Sequence, residues 1–159
     1  MMNLGYACIN TTLANETPRI TTNRGMIKKT FLEKGLEHAG DLSLSNVSDL
    51  LVILRWNIKN NIRFFRVSSD IFPWANHYNI KILPQYKKIK DILDEIGCYV
   101  KNNSIRLTFH PGPFNILTST KEYVVQNTIV DLSIHGKIMD LMGMPRSHWA
   151  KINIHIGAS

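Results

Sequence analysis

The sequence predicts an α/β fold of parallel strands joined by helical crossovers. Two observations carry this. Short apolar runs alternate with longer stretches of helical periodicity, in the order strand, helix, strand, helix, strand, helix, strand. No low-complexity segment or sequence repeat interrupts that order. Such alternation is the signature of a parallel sheet with right-handed crossovers.

Taken in order, "NLGYACI" (3–9) reads as the first strand and leads into a long polar loop through "TTNRG". Loops of that length in compact domains are usually functional or mobile. Ser45 is a candidate cap for a helix with Val47, Leu50, Leu51 and Leu54 on one face, ending near Asn60 and Asn61. "IRFFRV" (62–67) is the second strand, followed by the loop "SSDIFPWANH". Pro84 suits the first turn of the next helix, with Ile89, Ile92, Leu93 and Ile96 on its buried face and Gly97 toward its end. "SIRLTF" (104–109) is a third strand that runs straight into "HPG". Ser119 and Glu122 have capping-box spacing ahead of a helix carrying Val125, Ile129, Leu132, Ile138 and Leu141, with Gly143 placed to stop it. "KINIHIG" makes the fourth strand.

Composition narrows the function classes. The 159 residues amount to one domain, and 44% aliphatic, aromatic and Cys residues indicate a packed core rather than disorder. A formal charge of +7 favours anionic partners, nucleic acid first. The lysines at 81, 87, 88 and 90 add little to that, because such a run is usually a solvated helix face. Cys8 and Cys98 lack CxxC spacing and are expected as free thiols. The start "MMNLGYACINTT" has neither a basic segment nor a long apolar stretch, and no run approaches a membrane span. The expectation is an intracellular, soluble protein.

In parallel α/β folds the carboxyl ends of the strands form one rim, where chemistry is done. Here that rim is formed by Tyr6, Cys8 and Asn10, then Arg66, Ser68 and Ser69, then His110, then His155. Imidazoles at the tips of neighbouring strands suit a shared divalent metal; the bland alternative is a pair of hydrogen-bonded structural histidines. His38, His135 and His148 are expected at solvated positions. Arg24 and Arg66 are candidates to neutralise phosphates, with a buried structural role the alternative for Arg66.

At "FFRVSSDIFPWANH", "RLTFHPG" and "INIHIG", and again at "LGYACIN" and "TTNR", the chain resembles the UV damage endonucleases. The likeness runs through nearly the whole chain in order. It implies a TIM-barrel-type fold, a cluster of divalent metals (Mn or Zn), and incision of damaged double-stranded DNA 5′ to ultraviolet photoproducts in excision repair. Residue by residue, it places His110 and His155 as metal ligands and His77 as a catalytic residue beside the scissile phosphate. Tyr6, also in the catalytic set, and Asn10 then line the DNA-facing exit of the first strand. Pro113 and Phe114 stand where the family's Gln-Tyr pair enters the duplex, so the amide contacts and the tyrosine hydroxyl are lost while a stacking face remains.

A (β/α)₈ barrel typically needs ~250 residues, so about four βα units, a half barrel of parallel strands, are expected over residues 1–159. The family's later carboxylate and histidine ligands have no counterpart in the sequence. The expected partners are damaged DNA and either a second chain supplying the C-terminal half barrel or a homodimer. The competing readings are a non-catalytic DNA-binding remnant, a decayed product, and a TIM-barrel sugar isomerase; the charge and the "FPWANH" motif argue against the last.

Overall fold

Four short strands, Gly5–Ala7 (β1), Phe64–Val67 (β2), Arg106–Phe109 (β3) and Ala150–Ile152 (β4), lie side by side in a computed structural model that describes residues 4–112 and 114–154. All three pairings are parallel and the order is β1-β2-β3-β4. Parallel neighbours require a crossover, and each crossover here contains a helix. The helices are Thr11–Ala14 (α1), Lys28–Lys59 (α2), Tyr86–Asn102 (α3) and Glu122–Leu141 (α4). Three single 3₁₀ turns, Ser69–Ile71, Ala75–His77 and Ile80–Ile82, occupy the β2–α3 connection.

The strand alternation sorts the sheet into two unlike faces. Phe65, Val67, Leu107 and Phe109 are fully buried, in one cluster with Leu50, Ile53 and Leu54 of α2, Ile89, Leu93 and Ile96 of α3, and Ile138 of α4. The opposite face carries Phe64 and Arg66, Arg106 and Thr108, and Lys151. On that inner face the Arg106 guanidinium lies over the Phe64 ring at 5.4 Å. The Phe64 ring in turn crosses Gly5, where a Cβ would come within 2.2 Å of it. The layering is that of a barrel wall: helices outside, strands inside, and, among the described residues, the sheet open at both edges.

The predicted faces of α2 and α3 hold, since Val47, Leu50, Leu51, Leu54, Ile89, Leu93 and Ile96 are buried. Four local expectations are corrected. Ser45 does not cap a helix: the helical region begins at Lys28, breaks at Gly35 and continues, and the Ser45 hydroxyl donates to the Asp41 carbonyl at 2.9 Å. The buried stripe extends backward through Ala39, Gly40 and Ser43, small residues without apolar bulk to announce it. Gly35 adopts φ +60°, ψ −152°, a conformation that Gly alone reaches without strain, and this marks the break. Gly97 does not approach the end of α3; it is buried inside the helix, which runs on to Asn102.

On α4 the Ser119–Glu122 pair is not a capping box. Lys121 is the capping residue without a side-chain bond, Ser119 Oγ accepts from the Lys121 amide at 3.2 Å, and Glu122 accepts from Gln126 instead. The buried residues of α4 are Thr128, His135, Ile138 and Met139, while Ile129 is 45% exposed. His135, expected in solvent, is 1% exposed. Its ring packs edge-on to Phe109 at 5.0 Å, an aromatic contact that a period count of aliphatic residues does not register. Gly143, at φ +60°, stops α4 as expected. Both cysteines are free.

Candidate active site

The rim at the carboxyl ends of the strands is built by loops locked to the helix layer. At β1 the Tyr6 ring lies edge-on to Phe65 at 5.1 Å, on the helix side of the sheet. Its hydroxyl donates to Asn57 Oδ1 at 2.6 Å and accepts from Asn10 Nδ2 at 2.7 Å. Burial raises the phenol's pKa above its usual value, and the hydrogen bonds with Asn10 and Asn57 lower it in part. Asn10 is buried, and its Oδ1 accepts the Leu13 amide at 3.0 Å, capping α1. Tyr6 and Asn10 are therefore one unit: the phenol sets the amide that starts the turn fronting the rim.

Arg24 does not present its charge to the rim. Its guanidinium pairs with Asp49 at 2.7 Å and donates to the carbonyls of Thr21 at 2.6 Å and Arg19 at 2.7 Å, closing the loop on itself. Asn46, fully buried on α2, ties that loop to the next. Its Oδ1 accepts the Arg24 amide at 3.0 Å, while its Nδ2 donates to the Arg24 carbonyl at 2.9 Å and the Ile71 carbonyl at 3.2 Å.

The "FPWANH" loop follows β2. Trp74 has φ +61° and its indole N–H donates to the Met26 carbonyl at 2.8 Å. A bulky residue at positive φ is strained and is held there by its surroundings; here Phe31 stacks on the indole at 5.8 Å. His77, exposed, sits 5.1 Å from the Trp74 ring with its amide bonded to the Trp74 carbonyl at 2.9 Å. The loop thus fixes where His77 stands and leaves its ring accessible.

His110 leaves β3. Its Nδ1 lies 3.1 Å from the Asn153 carbonyl, which can only accept, so Nδ1 carries a proton and donates it there. Asn153 in turn donates its amide to the Phe109 carbonyl at 2.9 Å, holding the β3 and β4 exits together two residues before His155. Beyond His110, the Asn115 amide closes a turn onto Gly112 at 3.1 Å and its side chain donates to Asp131 Oδ2 at 2.8 Å. Phe114, between them, is 86% exposed and does not pack under the loop. Pro113 and His155 lie outside the described residues.

Asp131, Asn115 and His135 form a polar cluster behind this loop that the sequence reading overlooked. His135 Nδ1 donates to the Asp131 carbonyl at 2.7 Å and lies 3.4 Å from its carboxylate, while Nε2 is buried without a hydrogen-bond partner among the described residues. Burial raises the Asp131 pKa, His135 lowers it, and the Asp70 carboxylate adds to the rise. The four-residue spacing of Asp131 and His135 was the available signal.

Could this rim hold a metal? A backbone-bonded Nδ1 is the usual outer-sphere arrangement of a ligating histidine, and His110 has it. Three or more protein ligands are the norm, and no group of three His, Cys, Asp or Glu converges among the described residues. His110 therefore suits a ligand, and the described residues alone do not complete a site. Among them, no helix is long and apolar enough to cross a membrane.

The class of protein this defines is one half of a parallel βα barrel of the TIM type, with His110 at a strand exit and His77 in the loop after β2. The chain belongs to the UV-endonuclease UvdE family, whose family model matches residues 2–159. It is 36% identical over 156 residues to a UV DNA damage endonuclease of Clostridium perfringens, covering 98% of this chain and 35% of that protein. Against a UV-damage endonuclease of Schizosaccharomyces pombe the identity is 35% over 158 residues, covering 98% and 26%. The crystal structure of SacUVDE superposes with a TM-score of 0.84 at 34% identity, covering all of this chain and 50% of that one. The chain thus spans half or less of the length of these relatives and corresponds to their N-terminal portion.

Proposed function

We propose that this chain provides the N-terminal half of a UV-damage endonuclease, a hydrolase that cuts the DNA backbone 5′ to ultraviolet photoproducts with a divalent metal, manganese or zinc. What carries the reading is the match of every βα unit here to half of one solved member of the family. In this reading His110 and His155 hold the metal, which when bound polarises a phosphate oxygen and lowers the pKa of a bound water toward about 7. His77 stands beside the scissile phosphate, and Tyr6 acts by positioning Asn10. Phe114, with Pro113 before it, offers a stacking face to a distorted base. The net charge of +7 favours the approach of a polyanion.

In this reading the family's remaining ligands and strands belong to the C-terminal half of the barrel, which the test supplies as a separate polypeptide. The test is nicking of UV-irradiated plasmid with added manganese, by this chain alone and by this chain co-expressed with the C-terminal half of SacUVDE. Lesion-dependent nicking is expected from the pair, lost on His110→Ala, and absent from the chain alone. Robust His110-dependent nicking by the lone chain as a monomer would refute the half-site reading. Damage-selective binding with no nicking by either would favour a non-catalytic DNA-binding module.

A further inference from the structure

The inner face of the sheet is charged with one sign. Arg66 on β2, Arg106 on β3 and Lys151 on β4 share that face, with Thr108 in register between Arg66 and Lys151. No ion pair reaches any of the three cations among the described residues. Arg66 Nε, Arg106 Nε and Thr108 Oγ1 are buried with no hydrogen-bond partner among the described residues. The Phe64 ring lies under Arg106, a cation–π contact and not a counterion. No Asp or Glu occurs anywhere in the four strands. Closing a barrel over this face would enclose these cations, and an enclosed charge without a counterion is strongly destabilising.

Resting on the half-barrel reading above, we propose that this face is a docking surface for a complementary polypeptide half whose own strands point carboxylates inward, onto Arg66, Arg106 and Lys151. The position of the charges selects this occupant over DNA. Arg106 opens β3, at the end of the strand remote from the His110 rim, where a duplex lying across the rim does not reach. It also excludes a second copy of this chain, which would bring like charges against like. The free edges agree: Leu4 and Ile9 flank β1 and Ile154 follows β4, all exposed, so added strands would cover apolar surface as well as pair backbone.

The test co-expresses this chain with the tagged C-terminal half of SacUVDE and measures pairing by sedimentation and by titration of the separated halves. A one-to-one complex is expected, with affinity falling as salt rises. Arg66→Glu with Arg106→Glu should weaken it about 100-fold, as breaking enclosed ion pairs does. Arg66→Lys with Arg106→Lys should pair within about tenfold of the parent, which separates lost charge from lost fold. Equal pairing by the Glu variant would overturn the proposal. So would a homodimer of this chain as tight as the mixed complex, or a Glu variant that loses DNA binding while pairing normally. Incision is scored separately: a pair that assembles through these charges but never nicks defeats the endonuclease reading and leaves this one standing.

Discussion

Gly97 and Gly136 are both helical glycines, and the structure gives them opposite fates on conversion to alanine. A Cβ on Gly97, in α3, would come within 1.8 Å of the Met142 carbonyl oxygen and 2.8 Å of its carbon. That is about 1.6 Å short of the 3.4 Å at which ordinary contact begins, and the obstacle is backbone that cannot rotate away. Separating α3 from the end of α4 by that much is overpacking at the costly end of its range, about 3 kcal/mol. Alanine returns about 1 kcal/mol of helix propensity. The net loss is about 2 kcal/mol, or a fall of about 4–8 °C in melting temperature for a chain of this size. A Cβ on Gly136, in α4, meets nothing within 4 Å, so Gly136→Ala keeps the propensity gain alone, a rise of about 2–4 °C. Thermal and urea unfolding of both variants check this. If both substitutions shifted stability in the same direction, the claim that α3 and α4 are held at backbone contact would be wrong.

Other expectations concern titration and DNA. Burial pushes the Tyr78 phenol up to about 12 from an ordinary 10.0, so the fold holds the protonated form more tightly than the unfolded chain does. Stability from this source is complete below pH 10 and is lost as pH rises from 10 through 12. Tyr78→Phe should flatten that alkaline decline while losing the bond to the Pro73 carbonyl, about 1 kcal/mol, as melting curves across the range would show. The Asp131 carboxyl is likewise raised, so its ionisation costs stability as pH climbs through its folded value. Asp131→Asn keeps an acceptor for Asn115, so at pH 7 the melting temperature should be equal or higher, with a shallower dependence between pH 4 and 7. A lower value with unchanged slope would mean that attraction to His135 outweighs burial. Phe114→Ala, in the assembled pair, should weaken binding to irradiated duplex by about 1–3 kcal/mol and to intact duplex by less; equal losses would remove the stacking role.

The strands and their order were legible because β-branched and aromatic runs end abruptly at loops rich in Gly, Pro, Asn and Ser. The faces of α2 and α3 were legible because Leu and Ile repeat there at helical spacing. What escaped was written in small or polar residues. Ala39, Gly40 and Ser43 carry the stripe of α2 back past Ser45, and Thr128 and His135 carry that of α4, so a count of large aliphatic residues misses both. At the site, His110 was placed on a strand exit by pattern, whereas His77 was singled out by the family motif that it closes. The partners that fix the site are remote in sequence: Tyr6 reaches Asn57 across 51 residues, and Asn46 reaches Arg24 and Ile71 across 22 and 25. Arg24 was misjudged because nothing local shows that Asp49 will neutralise it.

The amide of Asn46 has a thermodynamic meaning beyond its hydrogen bonds. It is satisfied only when the Arg24 segment and the Ile71 segment are both in place, so these two loops share one set of conformations and cannot be ordered separately. The entropy of arranging the front of the first two strand exits is therefore surrendered once, during folding. Under the proposed function, a duplex arriving at the rim would meet a surface already arranged, and its binding free energy would not be spent on organising either loop.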